Sequence, residues 1–253
     1  MKKLALLVSS IVCIFLLAGC FEITDEVTLK EDGSGVISST NDMSMLISMA
    51  KGMGGAEAMD KAGDKATDTT VSLLKLADSI STLTPEEKEL VKKGTLSLNI
   101  SMKDEKMITR LEIPFAKTEQ VEKIKAISSK ISTYFLGKNM GEGLPAGLGD
   151  KMPSSDPVND YFTTSYTANV IEKKLNKEKY AGVDSDEIMK GIKEMSENGM
   201  PVSNTVVINL PRPAKSATGK GVTLSEDKKK VTIKSTSEDF FDNAAALEFK
   251  IEY

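Results

Sequence analysis

The side chains that most often carry out chemistry are scarce in this sequence. Histidine is absent, and cysteine occurs only at Cys13 and Cys20. This inventory excludes imidazole-based catalytic triads, His-ligated zinc or haem, and metal sites built from cysteine clusters. The sequence does contain 13 methionines, whose thioethers are soft ligands for Cu(I), and 37 acidic residues, from which an acid and base pair for hydrolysis could be drawn. The candidate chemistry is therefore that of two thiols, thioethers and carboxylates.

Cys20 has the most informative surroundings. A short cationic start is followed by an apolar run from Leu4 to Leu17 that only two serines interrupt. Such a run is typical of a secretory signal peptide and is too short to span a bilayer as a helix. It ends in Leu17-Ala18-Gly19-Cys20, which resembles the lipobox of bacterial lipoprotein signal peptides. The resemblance implies removal of residues 1–19 and acylation of Cys20, palmitate included; the alternative is an ordinary signal peptide with a chance cysteine.

Acylation of Cys20 would make the chain a membrane-anchored lipoprotein. Each buried methylene adds about 0.8 kcal/mol of membrane affinity, so two or three acyl chains hold a protein stably. Cys13 would leave with the signal peptide, and no thiol would remain for a disulfide. In the sorting rules of Gram-negative lipoproteins, which this sequence resembles, an aspartate after the acylated cysteine favours retention in the inner membrane. Here Phe21 follows Cys20, which argues against that retention. We therefore expect a cell-envelope protein on the outer membrane, facing the periplasm.

The charge of the mature chain argues against nucleic acid as a partner. The full sequence has 33 basic and 37 acidic side chains, and removal of residues 1–19 takes away Lys2 and Lys3 but no acid. The net charge then falls from −4 to about −6, which favours repulsion from phosphate backbones. We expect the membrane as one partner, with a lipid or an envelope protein as a possible second.

Methionines are concentrated in one segment. Met45, Met49 and Met53 recur every fourth residue, with Met43 and Met59 on either side. On a helix this spacing places three thioethers on one face, as a Cu(I) site would require. Because no histidine or thiol supports such a site, we favour the interpretation that these methionines serve as adaptable packing or line an apolar pocket.

The acidic run Asp184-Ser185-Asp186-Glu187 resembles the start of a calcium loop. The glycine required at the sixth position is replaced by Met189, and apolar residues continue at helical spacing. We therefore interpret the run as a helix cap. No other carboxylates are marked as a catalytic pair, and tryptophan, the usual platform for a sugar ring, is absent. We predict no enzyme activity, no cofactor and no metal, and the sequence identifies no ligand-binding residue.

Two hairpins are predicted in the first half of the chain. Residues 22–29 alternate between apolar and polar side chains, and a glycine-rich turn leads to a return strand from Val36. Residues 96–102 and 111–115 alternate in the same way around a charged turn. We expect both pairs to form antiparallel strands.

Helices are predicted between and after these hairpins. Residues 41–94 form a helical insert of two or three helices, of which the last is capped by Thr84 and Glu87. Another helix begins near Thr118, and residues 137–157 form a long loop rich in turn-forming residues. The apolar residues Leu144–Leu148 within that loop could contact a membrane or cover a pocket, although a spacer is favoured.

The second half of the sequence predicts further strands on either side of one helix. Residues 161–171 are strand-like, and the capping box at Asp184–Glu187 opens a helix. Three strand segments close the chain at residues 206–210, 222–233 and 247–253, and the second of them is folded about Glu226-Asp227-Lys228. Short strands joined by tight turns, with helices in separate blocks, indicate an α+β fold: a mostly antiparallel sheet of hairpins with helices packed on one face. We expect residues 20–253 to form a single domain.

The order of these features resembles the LppM-domain lipoproteins. The shared features are the lipobox, a strand running into Asp32-Gly33-Ser34-Gly35, a helix with methionines, a hairpin ending at Phe115, and Asn209-Leu210-Pro211 before a terminal hairpin. This resemblance implies a small α+β envelope module, for which glycolipid binding has been proposed. We therefore expect a non-catalytic, lipid-anchored envelope protein that binds an amphiphile or a partner protein. The alternatives are a structural or assembly scaffold, a carboxylate-dependent hydrolase and a Cu(I)-binding protein.

Overall fold

The computed structural model describes residues 21–50, 66–101, 103–140 and 156–253. The predicted signal peptide and Cys20 lie outside these residues, as do Met53, Met59 and the apolar segment Leu144–Leu148. Among the residues described, no helix has both the length and the hydropathy needed to cross a bilayer.

Twelve strands and seven α-helices are present in the described residues. The strands are β1 (Phe21–Leu29), β2 (Gly35–Asp42), β3 (Thr67–Ser72), β4 (Thr95–Ser101), β5 (Lys106–Phe115), β6 (Phe162–Tyr166), β7 (Val170–Leu175), β8 (Val202–Asn209), β9 (Ser216–Gly219), β10 (Val222–Leu224), β11 (Lys230–Thr236) and β12 (Phe249–Glu252). The helices are α1 (Ser44–Ala50), α2 (Leu73–Ser79), α3 (Pro85–Val91), α4 (Val121–Met140), α5 (Lys177–Tyr180), α6 (Glu187–Glu197) and α7 (Ser237–Asn243).

The strands form two sheets, and the fold is α+β as predicted. The larger sheet has the order β10-β11-β8-β1-β2-β5-β4-β3, and the smaller one has the order β6-β7-β12-β9. All neighbours pair antiparallel except β1 and β8, which run parallel. Parallel strands need a long connection between them, and the hairpins and helices between β1 and β8 provide it.

Helix α4 joins the two sheets. It contacts β2 and β5 of the larger sheet and β6 of the smaller one. Its predicted apolar stripe, Val121, Ile124, Ile127 and Ile131, is fully buried in a core that includes side chains from both sheets. Burial of this stripe is the main apolar contribution that holds the helix in place.

A second core lies under α6 and α7. Phe240 of α7 is fully buried and packs edge-on against Tyr180 and Phe241, with the Tyr161 ring 5.5 Å away. Met189 and Ile192 of α6 complete this core. Helix α7 was not predicted; its start is fixed by a capping box between Thr236 and Asp239.

The predicted hairpins are confirmed, whereas the helical insert is only partly right. Strands β1 with β2 and β4 with β5 pair as expected. Within residues 41–94, however, Asn41 and Asp42 end β2, and Thr67–Ser72 is a strand paired with β4. The run Thr67–Ser72 contains β-branched residues that fit a sheet edge, and this was overlooked beside the apolar spacing of Leu73–Leu83. The cap of α3 by Thr84 and Glu87 is confirmed.

Three smaller predictions also need correction. Helix α4 continues to Met140, so the predicted loop cannot begin at residue 137. Residues 161–171 are not one strand but most of a hairpin, because β6 and β7 are joined by a turn at Thr167–Asn169. Asp186, rather than Asp184, caps α6 by accepting hydrogen bonds from the backbone N–H groups of the second and third helical residues.

Candidate functional site

A polar cavity lies beside α4, between β1 and β2 of the larger sheet and the segment that leads into β6. Its volume is about 150 Å³. Most of its lining residues are polar or charged, and Ile37, Ala126 and Phe162 form the apolar part of the lining. The polar part consists of Asp25, Ser39, Glu122, Lys125, Ser128, Ser129, Asp156, Asn159, Asp160 and Lys179.

Strand β1 supplies the innermost charge of this cavity. Asp25 shares the inward face of β1 with Val27 and Leu29, and it is only 6% exposed. Its partner across the β1–β2 ladder is Ser39, whose hydroxyl donates to Asp25 Oδ1 at 2.6 Å. The remaining oxygen, Oδ2, lies 3.3 Å from Lys125 Nζ. A buried carboxylate is thus held by one hydroxyl and one cation.

Helix α4 presents Lys125 and Glu122 to the cavity from adjacent positions along its length. They are three residues apart and therefore lie on the same side of the helix, beside the buried stripe. Burial works to lower the pKa of Lys125, but the negative charges beside it, including those of Asp25 and Glu122, act in the opposite direction and raise that pKa. Lys125 is therefore cationic across the physiological range. Burial itself raises the pKa of Tyr166 to about 12, so its phenol stays neutral.

Glu122 is the least satisfied acid of the site. Burial raises its pKa, although the charges of Lys125 and Lys173 and the backbone of Thr164 act in the opposite direction. Its Oε1 atom is buried and has no hydrogen-bond partner among the described residues. A carboxylate oxygen in this state carries an uncompensated desolvation cost.

Asp156 closes the cavity from the loop before β6. Its Oδ2 accepts a hydrogen bond from Asn204 Nδ2 at 2.5 Å, and its Oδ1 accepts one from the backbone N–H of Asn159 at 3.1 Å. Burial raises the pKa of Asp156, against the attraction of Lys173. Burial also lowers the pKa of Lys173 to about 8, and its ammonium lies 4.1 Å from the centre of the Phe162 ring.

Two further acceptors lack donors on the same side of the larger sheet. Asn41 of β2 and Asn204 of β8 are both register partners of Ile23 in β1, so they flank it one row away from Asp25. In the described part of the chain, their Oδ1 atoms and Glu122 Oε1 are the buried side-chain atoms without a hydrogen-bond partner. All three atoms are acceptors, and no donor in the described part of the chain lies within hydrogen-bond distance of them.

The described residues include the side chains of only two of the methionines predicted as a candidate ligand set. Met43 is buried and packs near Met107, and its backbone N–H donates to the Met107 carbonyl. Met45 is half-buried on α1. The side chains of the other three are not described, so copper binding stays a prediction without a site. No group of three or more acidic side chains in the described ranges is arranged to hold a metal ion.

The cavity residues were missed by sequence reasoning, although one signal was present. Asp25 interrupts the inward face of β1, where Ile23, Val27 and Leu29 predict a buried position. An acid at such a position requires a partner and so marks a site. Lys173 and Asp156 gave no comparable signal, because only the folded chain brings them beside α4.

Comparison with known proteins gives a structural likeness but no sequence match. No protein-family model matches the chain, and no curated protein sequence matches it. Among solved structures, the chain is similar to the folded domain of the LppM protein of Mycobacterium tuberculosis, determined by NMR. The two share 11% sequence identity over 93% of this chain and 91% of that chain, with a TM-score of 0.36.

Proposed function

We propose that this chain is a non-catalytic, lipid-anchored protein of a bacterial cell envelope that binds the polar part of an amphiphile. The observation that carries this proposal is the charged cavity beside α4, which has about 150 Å³ of space and is lined by Glu122, whose buried Oε1 atom has no hydrogen-bond donor among the described residues. In the proposal, Cys20 carries the acyl chains on the outer membrane, and residues 20–253 act as one domain. The core that contains side chains of both sheets supports this last point.

The position of the cavity along β1 supports an occupant at the membrane surface. Strand β1 begins at Phe21, immediately after Cys20 in the sequence. At about 3.3 Å per residue, Asp25 lies roughly 13 Å along the strand from Phe21. An acylated Cys20 would therefore hold the cavity close to the lipid headgroups.

The surface composition favours binding of a headgroup rather than of an acyl chain. In the described part of the molecule, the large apolar side chains that are exposed are Leu74, Ile188 and Leu224, which lie on three different elements. A contiguous apolar patch, which an acyl chain would need, is not formed by these three. The polar cavity is thus the better receptor for the polar part of a lipid.

The anchor is tested by metabolic labelling with a palmitate analogue. We expect the wild-type protein to be tagged, to lose residues 1–19 and to fractionate with the outer membrane, whereas Cys20→Ser should remain untagged. An untagged wild-type protein, or one that retains residues 1–19, would contradict the anchor.

The ligand site is tested by native mass spectrometry of the full lipoprotein extracted from membranes. Ser129→Leu adds volume to the cavity lining without removing a charge, and Thr133→Leu makes the same kind of change one turn later at an exposed position of α4. We expect a lipid adduct on the wild type and on Thr133→Leu, and its loss from Ser129→Leu. A lipid adduct of equal abundance on both variants would place the ligand elsewhere on the protein. Absence of any adduct from the wild type would favour the function of a structural or assembly scaffold.

A carboxylate-dependent hydrolase is a second candidate, favoured by one observation. Glu122 and Asp156 line the same cavity, and burial raises the pKa of both carboxyl groups, as a general acid requires. Turnover of chromogenic glycosides or esters that is lost in Glu122→Gln would support this function. Absence of turnover in the wild type would leave the binding function.

A further inference from the structure

The charge of the cavity is unbalanced towards acid. Its lining contains four acidic side chains, Asp25, Glu122, Asp156 and Asp160, against two lysines, Lys125 and Lys179. The buried Lys173 beside the cavity is a third cation, so acid is in excess by one charge. Lys125 is bound to Asp25 at 3.3 Å, so its charge is already shared. A group that brings positive charge into the cavity would therefore be stabilised there.

The hydrogen-bonding state of the cavity indicates the same kind of occupant. Asp25 and Asp156 each receive hydrogen bonds from donors of the chain, whereas Glu122 Oε1 is buried and receives none. An acceptor left in this state costs about 1–3 kcal/mol unless a donor arrives from a ligand or a water molecule. The group that fits must therefore carry N–H or O–H donors.

A metal ion does not satisfy these conditions in the described residues, because no three acidic side chains there converge on one point. The space is also larger than a single ion needs. A cavity of about 150 Å³ can hold a molecule as large as benzene. A small organic cation meets both conditions, since it distributes its donors over several acceptors.

We propose that the cavity binds an ammonium group, with Glu122 as its principal carboxylate and Asp156 as the second. This inference rests on the proposed function and specifies the ligand class of its site. The same ammonium chemistry could come from the headgroup of an aminophospholipid or from a soluble amine.

Calorimetric titration of the full lipoprotein in a non-ionic detergent tests the ligand class. Ethanolamine and ethylene glycol share a skeleton and differ in that a hydroxyl group replaces the ammonium. We expect ethanolamine to bind at least tenfold more tightly than ethylene glycol. Equal binding of the two probes would overturn the assignment, as would no binding of either, which would mean that water alone fills the cavity.

Matched variants locate the site. Glu122→Gln keeps the shape of the side chain and removes its charge, whereas Glu119→Gln makes the same change at an exposed position just before α4. We expect at least a tenfold loss of ethanolamine affinity for the first variant and no change for the second. If Glu122→Gln does not fold, Asp156→Asn provides the same test. Retention of full affinity in the folded variants would overturn the role of these carboxylates.

A third probe, glycerophosphoethanolamine, identifies the source of the ammonium group. Tighter binding than ethanolamine supports an aminophospholipid headgroup, and equal or weaker binding supports a soluble amine. A neutral or anionic amphiphile that co-purifies with a protein unable to bind ethanolamine would overturn the ammonium assignment and leave the proposed function standing. Absence of both a co-purifying amphiphile and ethanolamine binding would contradict the proposed function and the ammonium assignment together.

Discussion

Replacement of Lys125 by methionine is expected to destabilise the protein more than replacement of Asp25 by asparagine. The two side chains are 13% and 8% exposed, and their charged atoms lie 3.3 Å apart. At an effective dielectric constant of about 20 this separation corresponds to roughly 5 kcal/mol of attraction, most of which the desolvation of both ions offsets. Loss of one partner of a buried pair costs about 3–5 kcal/mol, because the other charge is left uncompensated.

The asymmetry between the two variants follows from the other acids of the cavity. Lys125 also attracts Glu122 and Asp156, so its removal leaves three acids with Lys173 as the remaining buried cation beside them. After removal of Asp25, those two acids still compensate Lys125. We therefore expect Lys125→Met to cost about 3–5 kcal/mol, Asp25→Asn to cost less, and the double variant to cost about 1–3 kcal/mol less than the sum of the two.

The measurement is urea denaturation at pH 7, followed by far-ultraviolet circular dichroism. The exposed pair Lys250 and Glu252, with side chains 46% and 41% exposed, provides a control cycle whose coupling should stay below about 1 kcal/mol. Equal costs for the two single variants, with no coupling between them, would refute the assignment of Lys125 as the shared cation of the cavity.

Three other predictions concern the framework around the cavity, and each is checked by denaturation of the variant beside the wild type. Gly35→Ala should destabilise the protein by more than about 1 kcal/mol, since the added alanine Cβ would lie 1.9 Å from the Thr28 carbonyl oxygen. As a control, Gly191→Ala, which lies in open space on α6, should stabilise the protein by about 0.5–1 kcal/mol. Equal effects of the two substitutions would contradict the close approach at Gly35. Phe240→Ala should cost about 3–5 kcal/mol, and a cost below 1 kcal/mol would show that the second core is not packed around this ring. The hydrogen bond from Lys130 and that from the Thr84 backbone lower the pKa of Glu87 from 4.5 to about 2. The contribution of Glu87 is therefore complete above pH 4.5 and lost as the pH falls towards 2, so Glu87→Gln should destabilise at pH 7 by about 0.5–1 kcal/mol and have no effect near pH 2.

Much of the fold could be predicted from local patterns. The β1–β2 and β4–β5 hairpins, the stripe on α4 and the cap of α3 depend on neighbours within a few residues, and the structure contains all of them. Strand β3 was missed because its Thr-rich run is polar on both faces, as an exposed sheet edge permits. The parallel pairing of β1 with β8 could not be predicted, because it joins residues far apart in the sequence.

The candidate site was harder to predict than the fold. Its charged groups come from β1, α4, the loop before β6, and β7, and no local pattern links these four places. Asp25 alone could have been recognised, as an acid on an apolar strand face. The expected binding surface was apolar and methionine-rich, and the side chains of Met49, Met53 and Met59 lie outside the described part of the chain. The cavity found is a different place, and most of its lining residues are polar.

The central claim, that the cavity beside α4 is a ligand site, is tested most directly by a high-resolution structure of the full lipoprotein extracted from its own membrane. The account predicts ligand density in contact with Glu122 Oε1 in the wild type, and its absence when Ser129 is replaced by leucine. A wild-type cavity that contains only ordered water, or a ligand bound at another surface, would contradict the account.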